Sequence, residues 1–249
     1  MAKLFIPRTI SKNICRFLRK ADDIQMKTIV ISDTISHGAP ALEVIQIEAA
    51  VTNPPTSDRL WNELEEAGED IRSRYDVPMV NKREPIAATR QAYKIFGKDP
   101  NRYRPSAEAL CRRMANGKGL YRTSTLIDLI NLLSMKTGCS IGGFDADKIE
   151  GDELTLGLGG NGEDFEAIGR GPLNIEGLPV YRDSIGGIGT PTSECERTKL
   201  TGFTSRLLML INVYGRDMEL SEIEDMARRL LAGHAGASEI ECRVVRATK

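Results

Sequence analysis

The sequence changes texture at Gly138, and that change limits the folds open to it. Upstream, apolar residues recur at helical spacing between proline and glycine stops. Downstream, eleven glycines fall between Gly151 and Gly189, and the apolar runs shrink to Leu154-Thr155-Leu156, Phe165-Glu166-Ala167-Ile168 and Val180-Tyr181. Such runs between glycine-rich turns read as short strands. Strands are also expected at Thr28–Ser32 and Leu42–Val51, where β-branched residues concentrate. Helices are expected from Ser57 to about Arg74, from Pro85 to Phe96, from Pro105 to Met114, and from a Thr123 or Ser124 cap to Thr137. The nearly continuous apolar run Phe203–Tyr214 predicts a buried strand. A helix capped by Ser221 and a strand over Ile240–Val245 close the chain. Helices amid strands predict an α+β fold.

The first 25 residues are basic and lack this organisation, with six Lys or Arg against two Asp. They read as an extension upstream of a start at Met26, with a targeting peptide as the rival reading, and 26–249 as a single domain. No run approaches eighteen consecutive apolar residues, so no membrane contact is expected. Five cysteines, odd in number and never spaced as CxxC, argue against a disulfide framework and fit a reducing cytoplasm. With two histidines, neither near a cysteine cluster, no metal is expected, and no cofactor.

Net charge is -1, yet it is segregated. Lys82–Arg122 holds eleven Lys or Arg against three acids, while Asp145–Glu176 holds nine acids against two bases. A basic segment in a neutral protein is a candidate phosphate footprint. Arg90, Arg104, Arg112, Arg113 and Lys118 are the candidate contacts, set against a plain solvated face.

Three motifs are set aside. Gly157-Leu158-Gly159-Gly160-Asn161-Gly162 satisfies G-x-G-x-x-G, but no amphipathic helix follows. The acids from Asp145 to Glu153 do not have calcium-loop spacing. Ser193 and Cys195 have no histidine nearby in sequence.

Two segments carry chemistry. On the helix before Gly138, Ser124, Asp128, Asn131 and Ser134 share a polar stripe on an otherwise apolar surface. It reads as either a pocket wall or a structural network. The segment Gly186–Thr198 combines glycines with Thr190, Thr192, Ser193, Glu194, Glu196 and Arg197, a density of functional groups that suits binding.

These segments also carry a resemblance. Leu126-Ile127-Asp128-Leu129-Ile130-Asn131, then Ile141-Gly142-Gly143-Phe144-Asp145-Ala146-Asp147-Lys148-Ile149, resembles the V-D-x-x-N and L-H-A-F-D-x-D-K motifs of the phenylalanyl-tRNA synthetase beta-subunit editing module, of B3/4 type. Ile188–Cys195 is similar to its M-G-G-x-x-S-E-V loop, and Arg104–Leu110 with Arg112-Arg113 resembles the lead-in helix of free-standing relatives. The resemblance implies mixed β-sheets in a sandwich-like core with helices outside. It implies a partner, tRNA or aminoacyl-tRNA, and hydrolysis of mischarged aminoacyl-tRNA in trans; the length of 249 residues is not expected to hold a synthetase catalytic core beside such a module. Glu194, Asn131 and Thr190 would be catalytic. Gly142, Gly143, Gly189, Thr192, Ser193 and Arg197 would contact substrate. The chain departs from the pattern at Gly142, where the family has histidine. The alternatives are a non-catalytic tRNA or aminoacyl-nucleotide binding module, and a binding protein for a free amino acid.

Overall fold

The computed structural model describes residues 26–247, and the expected 1–25 extension lies outside them. The first half runs β1 (Thr28–Ile31), α1 (Asp33–Gly38), β2 (Glu43–Ala50), α2 (Asp58–Arg74), α3 (Glu84–Ile95), α4 (Ser106–Ala115) and α5 (Thr125–Thr137). After Gly138, left-handed at φ 71°, come β3 (Ser140–Asp145), β4 (Glu153–Leu158), β5 (Glu166–Ala167), β6 (Gly171–Pro172), β7 (Pro179–Arg182), β8 (Gly187–Gly189) and β9 (Arg206–Val213). Helix α6 (Leu220–His234) and β10 (Ser238–Arg246) complete the described chain.

Two four-stranded sheets form, in orders β1-β4-β7-β8 and β10-β2-β9-β3. Only β1–β4 is parallel among the named strand pairs, so the first sheet is mixed. Strand β9 shows how the layers stack. Leu208 and Leu210 join Val44, Phe144, Leu156 and Tyr181 in a core between the sheets. Leu207, Met209, Ile211 and Val213 face the opposite way, into a core shared with the helices. A central strand buried on both faces must be apolar at every position, hence the unbroken run in the sequence. The fold is α+β, a sandwich of mixed sheets with helices packed outside one of them.

Helix α2 is capped by Ser57, whose side chain accepts from the Leu60 N–H, and buries Leu60, Leu64 and Ile71. Two expectations shift. Helix α6 starts before Ser221, because Glu219 and Glu222 exchange side-chain and backbone hydrogen bonds in a capping box. Helix α1, absent from the sequence reading, is six residues long, too short for periodicity to show, and is held by fully buried Ile35. No helix among the described residues is long and apolar enough to cross a membrane.

Candidate functional site

Helix α5 is fixed at its start by polar bonds that its sequence supplies. Asn53 Oδ1 accepts from the Leu126 N–H (2.9 Å), and Asp128 accepts from Thr56 Oγ1 (2.5 Å) and from the Thr123 N–H (3.0 Å). Leu126, Leu129, Leu132 and Leu133 are completely buried in the helix-side core. Ile127, Ile130, Asn131 and Ser134, at spacings of three and four, form the remaining wall of a cavity of about 410 Å³. The polar stripe therefore divides: Asp128 belongs to the helix start, and Asn131 to the cavity.

Strand β3 supplies the floor. Ile141 and Gly143 line the cavity, whereas Phe144 points into the inter-sheet core. A Cβ on Gly143 would come within 2.3 Å of Ile130 Cδ1 and 3.0 Å of Leu200 Cδ1. Glycine thus keeps the floor low and leaves its N–H free to donate to Glu194 Oε1 (3.2 Å).

Glu194 stands opposite α5. The loop that carries it is closed by Thr190, whose Oγ1 accepts from the N–H groups of Thr192 (3.1 Å) and Ser193 (3.0 Å) and donates to the Ser193 carbonyl (3.1 Å). The Ile168 N–H donates to the Glu194 carbonyl (3.0 Å) and ties the loop to the β5–β6 hairpin. Glu194 is half-buried and lines the cavity, where it joins Ile127, Ile130, Ile141, Ile168 and Leu200. Burial among these groups disfavours the ionised form and pushes the carboxyl up to about 7, against the lowering effect of the Gly143 N–H. Asn131, Ser106 and Lys199 are the other polar groups with a part in the lining; Ser134 Oγ is engaged with the Cys139 carbonyl (2.7 Å). A carboxyl that titrates near neutrality in an aliphatic enclosure can hold an ammonium or hydroxyl, or take a proton from water. A larger, more open hollow of about 910 Å³ lies near α1, but its Glu43 is already paired with Arg216 and Arg246.

Several candidate residues lie elsewhere. Thr190 shapes the turn and does not line the cavity. Thr192 Oγ1 is bonded to the Tyr93 hydroxyl (2.9 Å) and the Tyr103 carbonyl (3.3 Å). Ser193 is half-buried outside the lining. Arg197 grips Asp183 through both terminal nitrogens (2.9 and 2.7 Å), an internal carboxylate in place of a ligand's. Neither histidine lines the cavity: His37 is bonded to the Asp33 carbonyl, and His234 faces Glu63 at 3.2 Å.

Gly142 and Gly189 both pack on the Phe144 ring, where an added Cβ would approach to 2.7 and 2.5 Å. Position 142 faces the inter-sheet core, away from the cavity. Gly142→His is therefore expected to overpack that core and lower stability by about 1–3 kcal/mol in thermal or urea unfolding. An unchanged transition would contradict this placement.

The basic candidates are mostly engaged. Glu108, 1% exposed, receives Arg90 (2.8 Å), Arg104 (3.6 Å) and Arg112 (3.8 Å). Arg112 also donates to the Val77 carbonyl (3.1 Å), and Arg90 to the Pro100 carbonyl (3.3 Å). Arg113 donates to the Gly119 carbonyl (2.5 Å) and lies over the Tyr121 ring at 4.7 Å. Lys118 is exposed and forms no ion pair among the described residues. Sequence reasoning missed Ser106, Leu110, Ile168, Lys199 and Leu200. Ser106 and Leu110 are four apart on α4 and so share a face, but only the fold shows that this face meets α5.

Three comparisons bear on this chain. A family model described as the B3/4 domain matches residues 88–230. Comparison with the curated proteins finds no match. Among solved structures, an N-terminal fragment of the phenylalanyl-tRNA synthetase beta-subunit from Pyrococcus horikoshii is similar at 14% identity and TM-score 0.40, covering 87% of this chain and 50% of that one. The chain spans about half the length of that fragment.

Proposed function

Since the chain belongs to the B3/4 domain family, we propose that its cavity receives the aminoacyl end of a tRNA and hydrolyses the ester in trans. The observation that carries this reading is the enclosure of the Glu194 carboxyl with Asn131 in an aliphatic cavity, where burial pushes it up to about 7. In this reading the Glu194 carboxylate takes a proton from water as the water oxygen attacks the ester carbonyl carbon. The bond from that carbon to the ribose oxygen then breaks, and Glu194 returns the proton to the leaving oxygen. The Gly143 N–H holds one carboxylate oxygen and leaves the other for water. Asn131 positions the aminoacyl group. Thr190 has no direct part and serves by holding the turn that presents Glu194.

Release of amino acid from aminoacylated tRNA above the uncatalysed rate tests the hydrolysis. Binding is tested separately by salt titration. Lys118→Glu is expected to weaken tRNA binding equally for all tRNAs and to reduce the slope of log affinity against log salt by about one. An unaltered slope would remove Lys118 from the interface.

The engagement of Arg90, Arg104 and Arg112 by Glu108 favours a second reading, in which the cavity takes a free amino acid. That reading calls for binding that salt barely affects and for no dependence on tRNA.

A further inference from the structure

Phe203 is 97% exposed. A single apolar side chain on a surface needs no explanation by itself, but this one is presented by a braced turn three residues beyond Leu200, which lines the cavity. The Thr204 N–H donates to the Thr201 carbonyl (3.0 Å), the Thr201 N–H to Thr204 Oγ1 (2.9 Å), and the Phe203 N–H to Thr201 Oγ1 (3.3 Å). Thr204 Oγ1 in turn donates to Asp145 Oδ2 (3.0 Å). Asn53, itself buried, closes the brace: its Nδ2 donates to the Thr201 carbonyl (2.9 Å) while its Oδ1 holds the start of α5. One side-chain amide therefore fixes both the cavity wall and the turn that carries Phe203.

Leu200 lines the cavity, and the three residues from it to Phe203 span at most about 11 Å of chain. That is within reach of a single nucleoside whose acyl group occupies the cavity. The nearby cations are paired: Arg206 faces Asp147 at 3.8 Å, and Lys199 in the cavity lining is bonded to Glu196, so the turn offers an aromatic face more than a net positive charge. Such a face suits a base, because every base has a π-surface to stack. A pre-positioned ring also loses little freedom on binding.

We propose that Phe203 is the stacking platform for the terminal nucleobase of the aminoacyl-nucleotide, an inference that rests on the cavity reading above. The probes are stable amide analogues, 3′-leucylamido- and 3′-tyrosylamido-3′-deoxyadenosine, alongside leucinamide and tyrosinamide, which lack the nucleoside. Each is titrated into wild-type protein, Phe203→Ala, Phe203→Trp and Asn131→Ala, which removes the side chain that positions the aminoacyl group in the cavity reading. The expected result is that Phe203→Ala weakens the adenosine compounds by roughly 5- to 100-fold, leaves the plain amides unchanged, and is rescued by Phe203→Trp. Equal affinity of wild type and Phe203→Ala for the adenosine compounds would overturn the proposal. So would an equal loss for both kinds of compound, or unchanged affinity with a change in oligomeric mass, which would assign the ring to a protein contact. A Phe203 effect that persists while Asn131→Ala changes nothing would overturn the cavity reading alone. No binding of any compound by wild type would overturn both.

Discussion

Glu194→Gln is expected to abolish ester hydrolysis and, above pH 7, to make the protein more stable. The two effects have one cause. Burial raises the carboxyl from its ordinary 4.5 to about 7, so the folded state prefers the protonated form. Below pH 4.5 the acid is protonated in both folded and unfolded chains, and the group costs nothing. As pH rises from 4.5 through 7, the unfolded chain ionises first and gains. The folded state is destabilised by roughly 2–3 kcal/mol once pH exceeds 7. Glutamine matches the protonated form in shape and stays neutral. Urea titrations at pH 5 should therefore find the variant and wild type close, and at pH 8 should find the variant more stable by roughly 2–3 kcal/mol. Hydrolysis should rise with pH in the wild type as Glu194 ionises near 7, and the variant should lose about 100-fold or more, as expected for removal of a general base. Equal stability at pH 8 would mean that the carboxyl is not confined as described. Retained turnover would remove it from the chemistry.

Glu108→Ala is expected to be the most damaging single change to stability away from the cavity. It leaves Arg90, which is itself largely buried, without its 2.8 Å partner, and removes the anion shared by Arg104 and Arg112. Breaking a buried pair from one side costs about 3–5 kcal/mol because the surviving charge stays desolvated. For a chain of this size that corresponds to a fall in Tm of roughly 6–20 °C. A small change in a thermal melt would show that water reaches these guanidinium groups freely. The same cluster limits what this face has to offer phosphates, since three of its cations are held by Glu108.

Much of the architecture is legible in the sequence where one physical rule dominates. The unbroken apolar run of β9 follows from burial on two faces, and α5 is bounded by its cap region and Gly138. The cavity is legible in part. Asn131 and Glu194 come together although 63 positions separate them in the sequence, because α5 and the loop after β8 flank β3. Composition does not distinguish a hydroxyl that closes a turn from one that meets a ligand, and so Thr190 and Thr192 read as site residues. Arg197 reads as an anion binder for the same reason; its anion is Asp183, fourteen residues upstream. The strand alternation of Ile141-Gly142-Gly143-Phe144 does hold the information that Gly142 and Gly143 face opposite ways, once one of the four is placed. The partners of Glu108 are half visible, since Arg104 and Arg112 lie four residues to either side of it. Arg90 is not, as it arrives from another helix.

Ester hydrolysis in the cavity has one decisive readout. The most direct measurement is the rate of amino acid release from a panel of aminoacylated tRNAs, tyrosyl-tRNA specific for phenylalanine among them, with wild-type protein and Glu194→Gln side by side. The expected result is selective release from one or a few members, above the buffer rate, by wild type alone. Release at the buffer rate from every member, or equal release by the two proteins, would contradict it.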